Sequence, residues 1–173
     1  VKNGDLALAK KLIDEGSNPS AKEDSDVVGL SVLMMAACQA DVEMVKLLLN
    51  SGADVFTTDK KTGATALHKA CQGGSLEIAR LLLDAGAFVD AVTPTMGHTP
   101  IMDALWYKWT EIVKLLVERG ANLQLSTHYG FTIDDHLDFE LNVNQGEEKK
   151  KFVIIKDYIE SGRATSLKNI ESD

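Results

Sequence analysis

The chain has 173 residues, 45% of them apolar and 25% charged, with a formal charge of −8. That length suits one domain with enough apolar material for a sizeable core. The acidic balance argues against nucleic acid and anionic membrane surfaces as partners, no stretch approaches the roughly 18 consecutive apolar residues of a membrane span, and two cysteines are too few for a secreted disulfide scaffold.

The opening Val1-Lys2-Asn3-Gly4-Asp5 shows no cationic-then-apolar leader pattern and no initiator Met, as in a processed or trimmed chain. Leu6 to Gly16 has the apolar spacing of a short helix ended by glycine. A polar connection, Ser17 to Gly29, follows and is expected to be a flexible finger. Ser31 then opens an apolar segment with Leu33, Ala36 and Ala37 on one helical face, as a hydroxyl side chain does when it caps a helix N-terminus. A second helix carries Val45, Leu48 and Leu49 and closes on Gly52, where a left-handed backbone suits glycine.

The same layout returns. Gly52-Ala53, Gly86-Ala87 and Gly120-Ala121 are each preceded by an apolar run and, further back, by Glu43, Glu77 and Glu111 in register. The capping hydroxyls Ser31, Thr65, Thr99 and Thr132 repeat at almost the same interval. Successive copies fall at 26–58, 59–92 and 93–126, after a partial copy at 1–25. A fifth, at 127–162, is degenerate and carries extra residues around Asn142 to Lys150. Within it, Asp134 and Asp138 stand where the pattern asks for Leu and Ala. A rotated helix with Ile133, Leu137 and Leu141 facing inward resolves this, because buried unpaired carboxylates are prohibitive; a wrong register is the alternative. Phe152, Ile155 and Ile159 share one face of the following helix, about Glu147 to Glu160. Residues 163–173 read as a frayed polar tail.

Thr65-Ala66-Leu67-His68-Lys69-Ala70 and Thr99-Pro100-Ile101-Met102-Asp103-Ala104 resemble the Thr-Pro-Leu-His-x-Ala signature of the ankyrin-repeat family, over nearly the whole chain. The resemblance implies an all-α solenoid: helix–turn–helix units, joined by protruding fingers, that stack because no single unit can bury its apolar stripe. It also implies a non-catalytic scaffold for a protein or peptide partner, met by the fingertips and the exposed face of the first helices, and a structural His68 linking adjacent fingers. The alternative is a regulatory or targeting module of a larger protein whose activity lies outside this chain. A monomer in the cytoplasm is expected.

On that surface lie Val27, Val28, Leu30, Cys38 and Gln39 in one unit, then Lys61, Thr62, Ala64, Gln72 and Gly73 in the next. The C-terminal half is aromatic, and the candidate partner site is Met96, His98, Trp106, Tyr107, Lys108, His128, Tyr129, Phe131, Asp135 and Glu140. Trp, Tyr and Met favour interface centres, and Trp106 and Tyr107 replace small residues. Trp109 and Phe139 fit either this surface or the core. Lys108 takes the slot of Gly74, a left-handed turn, so contact with a ligand would explain its retention and Lys108→Gly should raise stability; simple tolerance is the other reading, since Ala40 breaks the same slot. The acids near the aromatics suit a partner carrying Lys or Arg, or equally a soluble end-cap. His98 and His128 occupy neighbouring fingers but lack a third ligand at metal spacing. Asp134-Asp135-His136 is no triad without a nucleophile, and Thr132 with Asp135 reads as a capping box. Cys38 and Cys71 read as small packing residues. Catalytic residues, cofactors and metal are expected to be absent.

Overall fold

In a computed structural model, residues 5–24 and 28–170 are described, with side chains through residue 161. Val27, the first residues of the chain and the last of its tail lie outside them. The described residues form nine helices and no strand: α1 Leu6–Asp14, α2 Val32–Cys38, α3 Val42–Asn50, α4 Ala66–Gly73, α5 Leu76–Asp84, α6 Pro100–Trp106, α7 Thr110–Glu118, α8 Ile133–Val143 and α9 Gly146–Ile170. They stack as two rows. First helices α2, α4, α6 and α8 pack in sequence, second helices α1, α3, α5, α7 and α9 pack behind them, and each pair is joined across the layer. This is a helical-repeat solenoid.

Each helix begins where its cap allows. Ser31 Oγ accepts from Met34 N at 3.2 Å, and Asp41 Oδ1 from Met44 N at 3.0 Å. The expected capping box forms at Thr132: Asp135 N donates to Thr132 Oγ1 at 3.2 Å, and Thr132 N to Asp135 Oδ2 at 2.8 Å. Thr99 departs from expectation. Its hydroxyl is buried without a partner, and Pro100 in the first turn starts the helix instead. Second helices end in left-handed glycines, Gly52 at φ 83° and Gly86 at φ 90°.

The core follows the stripe read from the sequence. Leu33, Ala36 and Ala37, then Leu67, Ala70 and Cys71, then Ile101, Ala104 and Leu105 are buried along the first row. Their small members let α2, α4 and α6 approach closely. Val45, Leu48, Ala79, Leu82, Val113 and Leu116 fill the second row. Phe152, Ile155 and Ile159 close it from α9, and Ile133 and Leu137 face inward while Asp134 and Asp138 stay exposed, so α8 is rotated as expected.

Three local expectations are corrected. Helix α9 continues through 163–170, where a frayed tail was expected. Cys38 is exposed at the end of α2, so only Cys71 is a packing residue. Ala64 and Glu140 are buried, not surface residues.

The fingers are stitched in series. Each closes on itself, as in Asp59 N to Ala64 O, Thr93 N to His98 O and Thr127 N to Phe131 O, all 2.9 Å. Lys60 N reaches Val28 O at 2.8 Å, and His128 N reaches Met96 O at 3.0 Å, tying finger to finger. His68 adds the link expected of it. Thr65 N donates to its Nδ1 at 3.2 Å, so Nε2 carries the proton toward His98 O at 3.2 Å. Burial holds the pKa of this imidazole below its ordinary value, against the raising pull of Asp103.

Candidate functional site

The fingers at 93–98 and 127–131, with α6 and α8 behind them, enclose a half-open groove of about 630 Å³. Its wall is aromatic and sulfur-rich: Met96, Trp106, Tyr107, Tyr129, Phe131 and Phe139, with Met102 deeper. Trp106 is 60% exposed and Tyr129 73% exposed, so the stack itself does not cover them. Trp106 and Tyr107 are the seventh and eighth residues after the cap Thr99, positions that lie along the finger face.

The polar lining sits at the floor and one rim. Asp103, on the first turn of α6, is buried, accepts from Gln72 Nε2 at 2.9 Å through Oδ2, and lies 3.4 Å from His98 Nδ1 through Oδ1. Asp135 stands at the rim with Oδ2 in the capping box. The Thr132 hydroxyl and N–H hold its carboxyl below the ordinary pKa. His136 closes the far end, its ring edge-on to Trp106 with centroids 5.3 Å apart. Its Nε2 is buried 3.4 Å from Glu140 Oε1, close enough for charge attraction but without hydrogen-bond alignment. Burial lowers the pKa of His136, and the Glu140 carboxylate opposes that shift.

Of the candidate residues, the groove gathers Met96, His98, Trp106, Tyr107, Tyr129, Phe131 and Asp135. It leaves out the other three. His128 packs its ring against Gly97 of the preceding finger, 2.7 Å from where a Cβ would stand. Glu140 was expected among exposed acids, but it is 8% exposed and accepts from Asn144 Nδ2 at 2.6 Å. Lys108 has the left-handed backbone its slot requires, φ 65°, but its side chain turns toward the chain's own C-terminal helices. Its Nζ lies 3.3 Å from Asn144 Oδ1, 3.8 Å from both Glu140 Oε2 and Glu148 Oε2, and 5.7 Å from the centre of the Phe152 ring. Internal contacts therefore account for Lys108 without a ligand.

Sequence reasoning missed Met102, Asp103, Thr127, Thr132 and His136 as lining, placed Gln72 on the surface without assigning it to the site, and left Phe139 between surface and core. Asp103 carried a signal. It is an acid inside the Thr-Pro-Ile-Met-Asp-Ala signature, one position before the small residue that packs. Trp109, which fitted core or surface, does some of each. It occupies the cap position held by Asp41 and Ser75 and makes no cap. Its indole instead covers Gly74, 2.4 Å from a notional Cβ there, and donates from Nε1 to Gln72 O at 3.3 Å.

A family model for ankyrin repeats, three copies long, matches residues 1–93 and again 33–127. The chain belongs to the ankyrin-repeat family. Ankyrin repeats are generally protein–protein interaction modules and typically non-catalytic. No curated protein matched the chain in a sequence comparison. The matched span ends at residue 127, so the α6 wall of the groove falls inside it and the α8 wall beyond it. Among the described residues, no helix is long and apolar enough to cross a membrane.

Proposed function

We propose that this chain is a non-catalytic recognition module that holds a segment of a protein partner across its finger face, anchored in the groove between the fingers at 93–98 and 127–131. One observation carries the reading. Met96, Trp106, Tyr107, Tyr129, Phe131 and Phe139 remain exposed around one hollow of about 630 Å³, while the core of the same repeats is fully buried. Contiguous apolar surface of this kind favours association, and Trp and Tyr anchors bury large area with few rotors to freeze. The scaffold behind it is rigid in a useful sense: finger-to-finger hydrogen bonds hold both groove walls at fixed spacing before a partner arrives.

The test is partner recovery by immobilised wild type, by Trp106→Ala/Tyr107→Ala, and by Phe56→Ala/Phe88→Ala. The last pair, with rings 4.7 Å apart, stacks outside the groove and serves as a surface control. Proteins lost with the groove variant and kept with the control support the reading. Equal recovery by all three puts the anchor elsewhere.

A further inference from the structure

The groove's charge and its rings together restrict what it can hold. Its charged lining is Asp103 and Asp135, with no Lys or Arg among the lining residues. The cation nearest in sequence to the aromatic wall, Lys108, is directed at Glu140, Glu148 and Asn144. An anionic anchor therefore meets carboxylates and the electron-rich faces of rings, both repulsive. A purely apolar anchor fits the wall but removes the small exposure that Asp103 keeps, 8% of its side chain. That carboxylate would then keep only an amide donor at 2.9 Å and an imidazole at 3.4 Å. Leaving a desolvated carboxylate without a cation is unfavourable. A cation answers both demands, because ring faces attract positive charge most strongly where water is excluded.

We propose that the anchor is an arginine side chain of the partner, its guanidinium laid against the aromatic wall of Trp106 and Tyr107 and directed at the carboxylates of Asp103 and Asp135. This rests on the groove being the recognition site. Arginine is favoured over lysine because guanidinium is planar, weakly hydrated and able to stack while it donates sideways. An ammonium surrenders a tight hydration shell and offers no flat face. The half-open shape leaves room for the peptide on either side of the anchor.

The experiment titrates 15N-labelled protein with capped, glycine-flanked peptides that differ only at the central residue: arginine, citrulline, lysine or leucine. The Trp106 indole N–H reports on the groove. Citrulline keeps the shape of arginine and removes its charge. The arginine peptide is expected to shift the Trp106 signal and bind about five- to tenfold more tightly than citrulline. Raised salt should narrow that margin, and Asp103→Asn, once shown to fold by its unfolding curve, should narrow it further. The wild-type comparison alone decides the matter if that variant does not fold. Citrulline or leucine binding as tightly as arginine overturns the cationic anchor but leaves the groove reading intact. Lysine matching arginine overturns the guanidinium assignment. No shift with any peptide overturns the inference, while partner recovery with Trp106→Ala/Tyr107→Ala judges the groove separately.

Discussion

Glycine substitutions at Ala40 and Lys108 separate backbone strain from side-chain contact at equivalent turns. Both residues have left-handed backbone, φ 55° and 65°, where Gly74 sits at 78°. That conformation costs a non-glycine residue about 1–2 kcal/mol, and the greater unfolded freedom of glycine cancels about 0.4–1 kcal/mol of any gain. Ala40 is exposed and has only a methyl group to lose, so Ala40→Gly should stabilise by about 1 kcal/mol. Lys108→Gly relieves the same strain but discards the ammonium over Phe152, worth about 0.5–1 kcal/mol, and its attraction to Glu140, worth about 0.2–1 kcal/mol. The terms nearly cancel, so stability should stay level or fall slightly, against the gain that the sequence alone suggests. Lys108→Ala keeps the strain and loses the contacts, and should destabilise by about 1–2 kcal/mol. Urea unfolding midpoints at constant slope measure all three. A rise with Lys108→Gly equal to that of Ala40→Gly would show that the lysine side chain contributes nothing to holding α8 and α9.

Other consequences follow from burial and crowding. His68 and His136 both have pKa values lowered from 6.5 by burial, so the unfolded chain takes up protons that the folded chain refuses, and stability should fall as pH drops through 6.5 toward the folded values. Urea midpoints between pH 7 and about 5 test this, and His68→Gln should flatten the slope; an unchanged slope removes His68 from the account. Cys38 is exposed, whereas burial pushes the Cys71 thiol well up, so an aromatic disulfide reagent should titrate Cys38 alone in the native protein and both thiols in denaturant. Fast native modification of Cys71 would contradict the packing of α4. Gly52→Ala meets open space while Gly74→Ala drives a Cβ to 2.4 Å from the Trp109 ring, so thermal unfolding should show the second clearly more destabilised although both share the left-handed backbone.

The backbone was legible in the sequence because stacking repeats obey one rule many times. A glycine at position 52 means little alone, but with 86 and 120 it fixes register, and register places Leu67 and Ile101 in the core without further argument. What register does not settle is where a long side chain goes. Lys108 and Glu140 were assigned to the outer face by position, yet four-carbon reach carries the lysine back across the turn, and Asn144 draws Glu140 inward. Those contacts come from the lengthened last unit, where the pattern no longer supplies a template. The rotation of α8 was legible, but the ring contact it gives His136 with Trp106 was not.

The location of the groove follows from how a solenoid distributes constraint. Stacking buries one side of every first helix and leaves the finger side uncovered, so residues seven and eight after each cap are free of packing demands. In the earlier units they are Cys38 and Gln39, then Gln72 and Gly73; in the later ones they become Trp106 and Tyr107, then Phe139, with Glu140 alone drawn inward. The change adds large apolar area that the fold itself leaves exposed, so it adds little to stability and works against solubility. Such surface becomes favourable only when something else covers it. Under the proposed arginine anchor, the acid beneath it, Asp103, favours a cover that brings both a flat face and a positive charge.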